Sequence, residues 1–162
     1  MKIKNSIREK QFMIIAILIL TFPLFLVSCT PKQELPTEDE AAAAIMEKIK
    51  AANDRWASGD PTGFLDCAAP DITWMDDLGA TYPVQGYDSL KTYLESFKGQ
   101  IPPHQHELQV PMFQNYGDMV IVTYRYQATF DGEVQAPWKV TSVYRYKDGD
   151  WLSVHENWTE VK

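Results

Sequence analysis

From residue 119 to residue 159 the chain alternates apolar and polar residues in three segments separated by two Asp-Gly dipeptides, Asp131-Gly132 and Asp148-Gly149. That pattern commits the second half of the protein to antiparallel hairpins. In 119–130 the even positions are Val120, Val122, Tyr124, Tyr126, Ala128 and Phe130, while the odd ones include Thr123, Arg125, Gln127 and Thr129. In 136–147 the even set is Trp138, Val140, Ser142, Tyr144 and Tyr146; in 151–159 it is Leu152, Val154, Glu156 and Trp158. The even face is the more apolar and is assigned to the inside. For that parity to survive the last hairpin, Lys147-Asp148-Gly149 has to form a three-residue turn that sets Tyr144 opposite Leu152 and Ser142 opposite Val154. A fourth strand is expected over 106–113. Ser142 and Glu156 then stand as polar groups on an aromatic inner face, which suits a pocket wall better than a plain aliphatic core.

The first half reads as helical. Thr37-Glu38-Asp39-Glu40 has capping-box spacing, and Ile45, Ile49, Ala52 and Trp56 recur at three- and four-residue intervals, predicting a helix over 37–58 that stops at Gly59. Asp60-Pro61 can cap a second, shorter helix ended by Pro70, and 71–75 reads as a strand. Asp88 is placed to cap a third helix carrying Leu90, Tyr93, Leu94 and Phe97, with Gly99 as its stop. Helices gathered before antiparallel strands make the fold class α+β.

Ahead of this domain, Lys2, Lys4, Arg8 and Lys10 precede an apolar run over 12–27, and Leu26-Val27-Ser28-Cys29 closes it. This layout is that of a secretory signal, and the four closing residues resemble the lipobox of bacterial lipoproteins. The run has 16 residues and contains Pro23, short of the ~20 needed to cross a bilayer as a helix. The resemblance implies that 1–28 is removed and that Cys29 is lipidated, with 29–36 as a tether of at most ~25 Å and 37–162 as the domain. It also implies a place in the bacterial cell envelope, at the outer membrane if the cell is Gram-negative, with the membrane as a partner through several acyl chains.

Without 1–28 the chain keeps 11 basic and 21 acidic residues, net −10, which argues against nucleic acid as a partner. With Cys29 acylated, Cys67 has no intramolecular partner, and its neighbours Phe64, Leu65, Ala68 and Ala69 mark it as a small buried side chain. His104 and His106 lack a third ligand at recognisable spacing, so no metal and no cofactor is expected. On the odd face, His155 and Trp151 belong to an outer sheet surface; an exposed Trp151 would favour a homodimer through the sheet.

The order of elements resembles the cone-shaped nuclear transport factor 2-like superfamily, which has a cystatin-like fold of three N-terminal helices on a curved antiparallel sheet of four or more strands. The local signals are Trp56-Ala57-Ser58-Gly59-Asp60, Gly86, and the run from Tyr144 through Asp148-Gly149-Asp150-Trp151 to His155-Glu156-Asn157-Trp158-Thr159. The last block is most similar to the SnoaL-like and kinase association domains. The resemblance to ketosteroid isomerase places Asp76 on that enzyme's strand-end base, but the positions matching its two oxyanion donors hold Ala52 and Ser142. The positions matching the kinase association domain's pocket arginines hold Tyr126, Ser142 and Trp158.

Two residues are therefore candidates for chemistry. Asp76 is a base at the mouth of an apolar cone, or else a solvated turn carboxylate beside Asp77. Glu156 is an acid, base or ligand contact, or else a partner for Arg125 or Arg145. The expected pocket wall is Trp56, Trp74, Tyr124, Tyr126, Ser142, Tyr144 and Trp158. Without oxyanion donors the expected function is non-catalytic binding of a small apolar ligand, neutral or cationic, or of a protein partner. The alternative is a small acid-base enzyme, an isomerase, cyclase or dehydratase, using Asp76 as base.

Overall fold

A computed structural model describes residues 34–80 and 82–161 of the chain. The leader, Cys29 and the first part of the tether lie outside the described residues, among which no helix is long and apolar enough to cross a membrane.

Helix α1 spans Glu38–Ala57 and begins as expected: Thr37 Oγ1 accepts from the Glu40 amide at 3.3 Å, and the Thr37 amide donates to Glu40 Oε2 at 2.9 Å. Glu38, Asp39 and Glu40 oppose the positive end of the helix dipole, and Arg55 stands in the last turn. Ala41, Ile45, Ile49 and Ala52 form the buried stripe, with Trp56 half-buried at its end.

The second helix is a 3-10 segment, Pro61–Cys67, capped by Asp60, whose Oδ1 accepts from the Thr62 amide at 3.0 Å. Arg55 ties it to α1 by donating to Asp60 at 2.6 and 2.9 Å and to Asp66. Gly63 permits the close approach, since a Cβ there would lie 2.8 Å from Arg55 Cβ and 2.9 Å from the Ala52 carbonyl. The 3-10 segment ends at Cys67 and not at Pro70, so strand β1, Ala68–Asp76, starts earlier than expected and contains Pro70. Pro70 sits in an irregular stretch between the Ala68 and Thr73 pairings, where its missing N–H costs no ladder bond.

Strand β2 is Val84–Gln85, and helix α2 is Tyr87–Glu95. Its N-cap is Gly86 at φ +83°, with no side-chain cap; Asp88 lies inside the first turn, where it favours the dipole without capping, contrary to expectation. The remaining strands are β3 Gln105–Asn115, β4 Met119–Phe130, β5 Glu133–Val134, β6 Trp138–Lys147 and β7 Asp150–Glu160. The sheet order is β2-β1-β7-β6-β4-β3, with β5 on β4. Its pairings are antiparallel except β1 with β7, which run parallel, so the sheet is mixed rather than wholly antiparallel.

The last hairpin corrects the expected register. Asp148 (φ +54°) and Gly149 (φ +90°) form a two-residue loop between the paired Lys147 and Asp150. Two consecutive left-handed residues are the type I′ geometry that matches strand twist, which the three-residue alternative does not supply. The parity break this causes is repaired four residues later. Val143 pairs with His155 but Tyr144 pairs with Ser153, so Val154 bulges. Before the bulge the odd residues Trp151 and Ser153 face inward, at 2% and 1% exposure; after it, Glu156 and Trp158 do. Trp151 is thus a core residue and carries no argument for a dimer. Ser142 faces Glu156, not Val154.

Candidate functional site

The helices and the inner sheet face enclose a cavity of about 470 Å³. Its inner wall is aromatic. Trp74 from β1 stacks on Trp158 from β7 (6.1 Å, 19°), and Phe64 packs edge-on against both at 5.2 and 5.5 Å. Tyr126 from β4 meets Trp158 at 5.9 Å, and Trp56 closes the α1 side. Such edge and stacked contacts fix ring orientation beyond simple burial. Toward the mouth the lining passes to Phe97, His104, Phe130, Trp138 and Glu160.

Asp76 lines this cavity but is not a solvated turn carboxylate. It is 9% exposed and accepts from five donors: Trp74 Nε1 at 2.6 Å, Tyr93 Oη at 2.7 Å to each oxygen, and the amides of Leu78, Gly79 and Ala80 at 2.9, 3.1 and 3.3 Å. A carboxylate has about four lone-pair sites. Five donors converge on them, the single Tyr93 proton serving one oxygen at a time, so the carboxylate is engaged by the protein's own groups. Burial, then the bond to Asp76, pushes the Tyr93 hydroxyl well above its ordinary range, holding it as a donor.

Glu156 does not line the cavity. It lies in the core at 4% exposure, accepting from Ser142 Oγ at 2.5 Å and Ser153 Oγ at 2.7 Å. Neither expected arginine reaches it: Arg145 binds Asp71 at 2.8 Å and Arg125 is exposed. Burial raises its pKa to about 7, against the two hydroxyl bonds that lower it. Tyr124 and Tyr144, fully buried nearby, are also held protonated by burial, and Asn53 donates to Tyr124 Oη at 3.4 Å. Together they make a polar layer behind the aromatic wall. Tyr124, Ser142 and Tyr144 therefore leave the expected pocket: all three are buried in the core and none lines the cavity. Of the expected wall, Trp56, Trp74, Tyr126 and Trp158 line it.

His104, weighed in the sequence only as a metal ligand without a third partner, lines the cavity. Its Nδ1 lies 2.9 Å from the Pro102 carbonyl, which can only accept, so Nδ1 carries hydrogen, and its Nε2 lies 2.5 Å from Tyr126 Oη. Nothing in the spacing of 97–104 announced this loop as lining; it arrives through the chain reversal before β3. Phe130 and Trp138 were legible, since both continue the even set. His106 stacks on Tyr126 (5.3 Å, 16°), and burial lowers its pKa. The Cys67 thiol is buried and pushed up to about 12, which leaves it an unreactive filler.

Comparison with known proteins agrees with this geometry. The SnoaL-like domain family matches residues 49–154. Among solved structures the chain is similar to an NTF2-like protein of unknown function from Pseudomonas putida KT2440, at TM-score 0.67 and 20% identity over 76% of this chain and 89% of that one. It is similar to a candidate ketosteroid isomerase from Parabacteroides distasonis ATCC 8503, at TM-score 0.61 and 23% identity over 83% and 94%. The S. rosetta CaMKII hub aligns at TM-score 0.60 and 21% identity over 74% and 95%. At these identities the likeness is one of fold: an NTF2-like, cystatin-like α+β cone. No curated protein matches the chain.

Proposed function

We propose that this chain, which belongs to the SnoaL-like domain family, holds a small apolar ligand in its aromatic cavity without transforming it, on a bacterial envelope membrane to which Cys29 is acylated. The observation that carries the reading is the engagement of Asp76: the one buried carboxylate lining the cavity is held by the protein's own donors. Ala52 is buried and offers no side-chain donor, and the Ser142 hydroxyl is committed to Glu156, so neither position supplies an oxyanion donor. The catalytic alternative, an isomerase, cyclase or dehydratase with Asp76 as base, keeps one point in its favour, namely that Asp76 stands on an apolar cavity.

The binding reading is tested on the full chain in detergent with N-phenyl-1-naphthylamine, a neutral apolar fluorophore that accepts energy from the wall tryptophans. Saturable quenching of tryptophan emission at one probe per chain is expected. Ala128→Phe, which places a ring inside the cavity, should weaken it at least tenfold. Equal binding by the variant would sink the assignment to this cavity.

The anchor rests on residues 1–29. Cells fed an alkyne fatty acid should label the wild-type protein and not Cys29→Ser, which should also leave the membrane fraction. A labelled C29S protein would refute the site. A homodimer through the sheet remains part of the proposal, resting now on Ile121 and Val143, paired and half-exposed on the outer face, and on the hub-type relatives.

A further inference from the structure

The cavity has an electrostatic character that its apolar walls do not by themselves require. Its lining contains no lysine and no arginine, whereas it contains two carboxylates, the buried Asp76 and the exposed Glu160. Glu160 is exposed and pairs across the sheet with Trp138, so a free carboxylate stands beside an indole at the entrance. No hydrogen bond or ion pair among the described residues engages that carboxylate. Asp77, the residue after β1, accepts from the Glu160 amide at 3.1 Å and adds a third negative group beside Glu160.

Trp56, Trp74, Tyr126, Trp138 and Trp158 line the same cavity. An indole or phenol face attracts a cation through its quadrupole, most strongly when water is excluded. An anion in the same place would meet the negative faces of the rings and the carboxylates with no lysine or arginine to offset them, the one basic group of the lining being the His104 imidazole, whose Nδ1 is turned to the Pro102 carbonyl. The net charge of −10 outside the leader draws cations toward the domain in the same sense.

We propose that the cavity takes an apolar organic cation, of the tertiary or quaternary ammonium class, with the charged group among the tryptophans and Glu160 at the rim. This rests on the binding reading above and specifies the ligand for it. Asp76 contributes its field from a buried position in the wall; Glu160 is the specificity-determining residue, because its charge is not already bound by the protein's own donors.

Three probes of one shape separate the possibilities by charge alone: choline, its neutral carbon isostere 3,3-dimethylbutan-1-ol, and the anion 3,3-dimethylbutanoate. Their Kd values are measured on the full chain in nonionic detergent by titration calorimetry. Choline is expected to bind at least tenfold tighter than the alcohol, and the anion more weakly than either. Glu160→Gln should lower the choline-to-alcohol ratio at least threefold and leave the alcohol unchanged; a ratio that E160Q does not move counts against the proposal. If the alcohol binds as tightly as choline, the cation assignment fails and the apolar pocket stands. Preference for the anion overturns the cation assignment outright. If none of the three binds while the naphthylamine does, only the cation assignment is lost; if neither set binds, the pocket reading falls with it.

Discussion

Asp76→Ala is expected to destabilise the domain by about 3–5 kcal/mol, the largest loss foreseen for any single polar side chain in this fold. The substitution removes the acceptor for five donors at once. The amides of residues 78–80 can turn to water, but Trp74 is 3% exposed and its indole N–H has nowhere else to go. A buried donor left without a partner costs about 1–3 kcal/mol, and the half-buried Tyr93 hydroxyl adds to it. Asp76→Asn keeps one accepting oxygen and should recover about half of the loss. Urea unfolding followed by circular dichroism measures both. If D76A unfolds within about 1 kcal/mol of wild type, the carboxylate is not a structural acceptor. The reading of Asp76 as a base would then regain its ground, since a carboxylate that the fold does not need is free to exchange protons.

Glu156→Gln should abolish a pH dependence rather than simply weaken the fold. Burial raises the Glu156 pKa from 4.5 to about 7. Between those values the folded protein binds the proton and the unfolded chain does not, so stability falls as pH rises. The stabilisation from holding the neutral carboxyl is fully present below pH 4.5 and is lost as pH passes through about 7. That shift corresponds to about 3 kcal/mol. A glutamine cannot ionise, and the Ser142 and Ser153 hydroxyls can turn to pair with its amide. E156Q should therefore be the more stable protein at pH 8, by about 2 kcal/mol after that rearrangement, and should lose its advantage at pH 5. Urea midpoints of both proteins at the two pH values decide it. A parallel fall in both would show that the dependence comes from other groups.

These two carboxylates show how far the sequence could be read. Both were identifiable as candidates, Asp76 by its place at a strand end and Glu156 by its parity. Their environments were not identifiable. Asp76 is filled by donors from a loop and from α2, seventeen residues away at Tyr93. Glu156 meets Ser142 only because a bulge shifts β7 by one residue. The two-residue Asp148-Gly149 turn, ahead of that bulge, moved Trp151 from the outer face to the core, so the expected dimer lost the residue first offered for it.

Elements whose signals are local followed from the sequence by itself. The capping box began α1 at Glu38, and alternation bounded β4 at Met119–Phe130, because backbone donors and pleat parity are satisfied within a few residues. The class of fold followed from the order of those elements. Tertiary structure alone decided the parallel pairing of β1 with β7, the type I′ turn with its compensating bulge, and the burial of Glu156 behind an aromatic wall. Each of these depends on which distant strand lies alongside and on the twist the pair adopts. Alternation repeats every two residues, so a shift of one residue reverses every side chain beyond it, and only the assembled sheet records where that shift falls.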